Sequence, residues 1–74
     1  MYLSDMRIGD KARVLKVDSN EYIKRRLLDI GLIENTCVEC VLKSGFDGML
    51  AYLIRGAVIA IRKDDINKIE VELV

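Results

Sequence analysis

The sequence predicts a mainly β domain, a small five-stranded barrel with one α-helix inserted at about residues 20–30. Three observations carry this. Short apolar runs (ARVLKV, TCVECVLK, MLAYLI, AVIAIR, IEVEL) recur between Gly, Asp and Ser turn signals. One stretch, Ser19 to Thr36, has helical spacing: Ile23, Leu27 and Ile30 fall at i, i+4 and i+7. Closing short strands on one another hides their edges around one core, which a chain of 74 residues needs.

Leu3 to Ile8 is a lead-in with apolar Leu3, Met6 and Ile8, ended by the Gly9-Asp10 turn signal. The first strand, Ala12 to Val17, alternates imperfectly. Ala12 and Val14 share one face, Leu15 and Val17 the other, so both faces are partly covered, or the strand twists or bulges. The helix follows. Asp18 or Ser19 is placed to cap its start, and Glu21, three after Asp18, has capping-box spacing. Gly31 takes positive φ at its stop, and Leu32 folds back on Leu27. In the connector, Asn35 is the residue best able to adopt positive φ.

The second strand, Thr36 to Lys43, puts Val38, Cys40 and Leu42 on one face. Residues 44–48 form a hairpin loop. Met49 to Ile54 and Ala57 to Arg62 are the third and fourth strands, joined by a tight Arg55-Gly56 turn. Lys63-Asp64-Asp65 makes one helical turn. In the fifth strand, Ile69 to Leu73, the residues Ile69, Val71 and Leu73 point in.

Composition bounds the function. Twelve basic and twelve acidic residues cancel, which argues against a nucleic-acid binder or an anionic-membrane anchor. No apolar run approaches the ~20 residues of a membrane span, and the opening residues have no signal-peptide pattern, so a cytoplasmic location without membrane insertion is expected. The apolar content of 51% is high for so small a surface-rich domain. The excess either scatters over the surface or gathers on a partner-facing patch.

Few side chains here carry chemistry. Cys37 and Cys40 have C-x-x-C spacing, but inside a strand i and i+3 face opposite ways, and no second ligand pair exists. They read as small, half-buried apolar residues in a reducing compartment. Lys24-Arg25-Arg26 reads as a solvated helix face, with Arg25 pairing to Glu21 and Asp29 and Arg26 to Asp29, or as a partner contact that includes Tyr22. Asp64-Asp65 caps a turn more readily than it binds a cation. With no histidine and no phosphate-binding loop, no enzyme activity, cofactor or metal site is expected. Both faces of the third and fourth strands are apolar. One is core, and the other is covered by the helix or offered to a partner.

The run Arg26-Leu27-Leu28-Asp29-Ile30-Gly31-Leu32-Ile33, the following Thr36, Ile54-Arg55-Gly56 with Ile59-Ala60-Ile61-Arg62, and the opening Leu3-Ser4-Asp5 with Gly9-Asp10-Lys11-Ala12 resemble the ferrous iron transport protein A (FeoA) family over nearly the whole chain. The resemblance implies an SH3-like barrel spanning residues 1–74 as a single domain. It implies a non-enzymatic cytoplasmic protein that binds and regulates a FeoB-type membrane GTPase iron transporter, which recruits it to the inner face of the membrane. The same fold also implies a second reading, a regulatory module related to the C-terminal domain of iron-dependent repressors. The family usually has Pro-Gly before the Thr; here Glu34-Asn35 stands there, and Asn35 still supplies positive φ. A proline often seen near Phe46-Asp47 is also missing.

The partner contact is expected at Tyr22, Arg25 and Arg26 on the helix, with Leu50 and Tyr52 on the hairpin. Gly31, Asn35 and Gly56 are the structural turn residues. An apolar hairpin serves self-association equally well, which leaves a homo-oligomer as an alternative. Proline-rich ligands need an aromatic-lined groove, and the four aromatic residues are scattered in sequence.

Overall fold

A computed structural model of the chain describes residues 1–43 and 48–74. A 3-10 turn (Leu3–Asp5) leads into β1 (Lys11–Val17), α1 (Glu21–Asp29), β2 (Cys37–Lys43), β3 (Met49–Ile54), β4 (Ala57–Arg62), the one-turn helix α2 (Lys63–Ile66) and β5 (Ile69–Leu73). Every expected strand and helix is present. Of the loop expected at residues 44–48, only Gly48 lies within the described residues.

The strands pair antiparallel in one sheet of order β4-β3-β2-β1-β5. All five strands contribute to a single buried cluster, Val14, Cys40, Tyr52, Ile61 and Val71 among them, so the sheet wraps around one core as an SH3-like barrel does. Among the described residues, no strand pairing joins β4 to β5 to close the ring. The 3-10 turn touches α2 and β5, and α2 touches β4, so these short elements plug the gap between the end strands. Leu3, Met6 and Ile66 fill it with fully buried side chains.

Two bulges correct the expected strand faces. Between Val14 and Lys16 the β1–β5 register shifts, so Leu15 is the extra residue. It turns outward, and Val17 returns to the face of Ala12 and Val14. Between Cys40 and Leu42 the β2–β3 register shifts in the same way. Val41 is then the extra residue, and Leu42 leaves the face of Val38 and Cys40 to stand 57% exposed. Leu73 was also expected inside, but it is exposed at the last position of an end strand.

The cap of the helix falls one residue after Ser19 and two after Asp18, the two expected positions. Asn20, not Asp18 or Ser19, accepts the Ile23 N–H on its side-chain oxygen at 2.9 Å. Its stop follows the sequence expectation. Gly31 has φ +87°; its N–H donates to the Leu28 carbonyl at 3.0 Å and the Leu32 N–H to the Leu27 carbonyl at 2.8 Å. Leu27 and Leu32 are both buried. Asn35 (φ 71°) turns the chain, the Thr36 hydroxyl donates to the Gly31 carbonyl at 3.0 Å, and the Asn35 N–H to the Val14 carbonyl at 2.7 Å. The helix is thereby fixed against β1 from its C-terminal end.

Candidate functional site

With Ile23, Leu27 and Ile30 turned toward the core, α1 presents Tyr22, Arg25, Arg26 and Asp29 to solvent. Tyr22 is 71% exposed. The Arg26 guanidinium stands over its ring, 5.9 Å from the centroid, one helical turn away. The expected ion pairs of Arg25 and Arg26 with Glu21 and Asp29 do not form among the described residues. Exposed pairs of long side chains gain little against their own entropy, so the ring contact wins here.

Beside Tyr22 runs an open groove of about 910 Å³ between α1 and the connector after it. Val17 and Leu32 form its buried floor. Tyr22, Leu28 and Ile33 form apolar walls, with Leu28 58% exposed. Lys24 and Arg25 stand on the rim with Glu21 and Glu34. An apolar trough with a mixed-charge rim suits a protein surface rather than a small anion.

Of the residues expected to touch a partner, the structure brings Tyr22, Arg25 and Arg26 together on this helix and removes the other two. Leu50 and Tyr52 lie in the core, at 4% and 0% exposure. β3 is flanked on both sides by strands, and its Leu50-Tyr52-Ile54 face is the one turned inward. Leu28, which was not expected there, lines the groove with Tyr22 and Arg25. Its signal was legible: it stands off the Ile23-Leu27-Ile30 stripe, on the side of Arg25. The turn residues Gly31, Asn35 and Gly56 all have positive φ.

Cys37 is exposed and Cys40 buried, on opposite faces of β2, so the pair cannot chelate one ion. Among the described residues no cluster of three His, Cys, Asp or Glu is placed to hold a metal. Burial pushes the Cys40 thiol pKa up, with Lys43 pulling the other way. An aromatic disulfide reagent is therefore expected to label Cys37 quickly and Cys40 about 100-fold more slowly in the folded chain, and both at one rate in denaturant. Two equally fast thiols in the folded protein would contradict the burial of Cys40.

Among the described residues no helix is long and apolar enough to cross a membrane. A Stenotrophomonas maltophilia FeoA, described as a prokaryotic SH3 domain protein, superposes with TM-score 0.83 and 26% identity, over 97% of this chain and 89% of that one. A manganese-dependent transcriptional repressor superposes with TM-score 0.93 at 21% identity, over 100% of this chain and 36% of the repressor, a likeness of fold alone. In sequence, the chain is 28% identical along its full length to a Porphyromonas gingivalis Fe(2+) transport protein A/Fe(2+) transporter FeoB fusion protein, of which it spans 9%. The FeoA domain family model matches residues 1–73. With the helix stop, turns and barrel in place, the chain belongs to the FeoA family of ferrous iron transport.

Proposed function

We propose that this domain binds a FeoB-type GTPase iron transporter and regulates ferrous iron uptake, acting by contact rather than by chemistry of its own. The observation that carries the reading is the relative in which a FeoA domain and a FeoB transporter form one polypeptide. Two domains joined in one chain work at high effective concentration, the condition under which a weak contact is useful. The Tyr22-Arg25-Leu28 groove supports it as the contact surface, since Tyr and Arg are enriched among residues that dominate binding. Binding favours whichever transporter state it fits better, which is how a non-catalytic domain regulates. On this reading the domain works at the cytoplasmic side of the membrane, held there by its partner.

The test is a titration of this chain with the detergent-solubilised FeoB-type transporter of the same organism, with and without guanine nucleotide. Saturable binding is expected, accompanied by a change in GTP turnover. Tyr22→Ala and Arg25→Glu should each weaken it at least tenfold, about 1.4 kcal/mol. No binding in either nucleotide state would overturn the proposal. A repressor-like regulatory module is the second reading, favoured by superposition on manganese-dependent repressors, a likeness of fold alone.

A further inference from the structure

The two end strands of the sheet are treated differently. β5 alternates Glu70 and Glu72 with its core residues, and the chain start lies along it. The Val71 N–H donates to the Met1 carbonyl at 2.8 Å, and Tyr2 bridges to Glu70. Among the described residues, β4 has none of these protections. Its register with β3 runs unbroken from Ile54↔Ala57 to Met49↔Arg62, without a bulge, and its sequence Ala-Val-Ile-Ala-Ile-Arg contains no proline. Natural sheets rarely leave an apolar, regular edge open.

The pairing fixes which groups that edge presents. Arg55 and Gly56 both have positive φ (50° and 84°), a two-residue turn that makes Ile54↔Ala57 a hydrogen-bonded pair. Bonded and non-bonded pairs then alternate. Ile59 and Ile61 bond to β3, while Val58 and Ala60 turn their N–H and C=O groups outward. Among the described residues nothing receives them. Val58 is 65% exposed beside them.

Next to the edge, on its inner side, lies a cleft of about 250 Å³ between β4 and α1. Ile23, Ile30 and the half-buried Ile59 line it. A strand laid along β4 would deliver every second side chain toward this cleft. The surrounding charge is mainly positive. Arg26 and Arg62 line the cleft with Asp65, and Arg55 stands at the far end of the strand. A second copy paired antiparallel about Ile59 would set Arg55 of one against Lys63 of the other, like charges that oppose pairing.

We infer that β4 accepts an extended segment of a protein partner by strand addition, a segment with apolar residues at alternate positions and carboxylates beside them. The inference rests on the transporter-binding reading and assigns that segment to the same transporter.

The test measures amide exchange of this chain, alone and bound to the detergent-solubilised transporter. Exchange of the Val58 and Ala60 amides should slow at least tenfold on binding, while Ile59 and Ile61, already bonded to β3, change little. Ala60→Pro removes an outward N–H and leaves the β3 ladder intact. It should lower affinity at least tenfold, and Ala60→Thr should not. Binding with unchanged exchange at Val58 and Ala60 would overturn strand addition and leave the transporter reading standing. No binding by the unmodified chain would overturn both. If Ala60→Pro fails to fold, the exchange measurement on the unmodified chain decides alone.

Discussion

Tyr52→Ala is expected to remove a large share of the domain's stability, about 3–5 kcal/mol. Tyr52 is fully buried, paired with Cys40 on one side and Ile59 on the other. Its hydroxyl donates to the Leu3 carbonyl at 2.9 Å and so ties the 3-10 turn to β3. Truncating a buried aromatic costs about 3–5 kcal/mol. At roughly 0.05–0.15 kcal/mol per residue, 74 residues hold about 4–11 kcal/mol in total. The loss is therefore a large share of what exists. A urea titration followed by far-UV circular dichroism checks it. A folded Tyr52→Ala protein with a near-wild-type midpoint would contradict the core assignment.

Tyr52→Phe separates the hydroxyl from the ring. At neutral pH it should cost about 1 kcal/mol, because the Leu3 carbonyl loses its donor. At high pH the sign changes. Burial, with Cys40 and Asp5 nearby, pushes the Tyr52 pKa far above the ordinary phenol value. The phenolate is thus disfavoured in the folded state. This stability is fully present below the unfolded pKa of about 10 and is lost above it, by up to about 1.4 kcal/mol per pH unit. Tyr52→Phe removes that slope, so its deficit should shrink and then reverse as pH rises past 10. The raised Cys40 thiol acts in the same sense and leaves a smaller slope in both proteins. Parallel curves up to pH 11 would show that Tyr52 is not shielded from water.

Gly31→Val should be the costliest single change outside the core. At φ +87° a side chain is strained whatever space surrounds it, by about 1–2 kcal/mol for alanine. An added Cβ would also meet the Arg55 Cδ at 2.9 Å. That atom belongs to a flexible side chain that can move, so the backbone term dominates. The β-branch of valine raises the total beyond the alanine value. Gly56→Ala is the natural comparison: φ is +84° there, and nothing lies within 4 Å of the added carbon. If both alanine variants lose the same stability, Arg55 simply moves aside. If Gly31→Ala loses clearly more, Arg55 is held in place. A Gly31→Val protein as stable as wild type would contradict the helix stop.

Much of this fold was legible because its strands are short and their turns are marked. Ile69 and Val71, the Arg55-Gly56 turn, Gly31 and Asn35 all carry local signals that tertiary contacts did not override. The bulges at Leu15 and Val41 were harder, since an extra residue shows only when the partner strand is known. The strand sequence left Leu15 and Val17 sharing a face, and the β1–β5 register alone decides which turns in. The cap was ambiguous because Asp18, Ser19 and Asn20 are all good caps in a row, and only the first helical bond selects Asn20. For the candidate site, the exposure of the helix residues was readable from their periodicity. That of the hairpin residues was not. Leu50 and Tyr52 alternate with Ala51 and Leu53, and composition does not say which set faces the core.

The pairing of β5 with β1 also has a consequence in time. β1 bonds to both β2 and β5, and roughly 50 residues separate its end from the start of β5. A ribosome adding about 5–20 residues per second releases β5 some 3–10 s after β1. Throughout that interval one side of β1 has no partner, and Ala12 and Val14 have no Leu73 or Val71 opposite them. Once β2 has joined β1, the nascent chain carries a sheet with an open apolar seam, vulnerable to proteases and to pairing with its neighbours on the same message. Translation speed over the codons between β1 and β5 therefore sets how long the domain remains at risk.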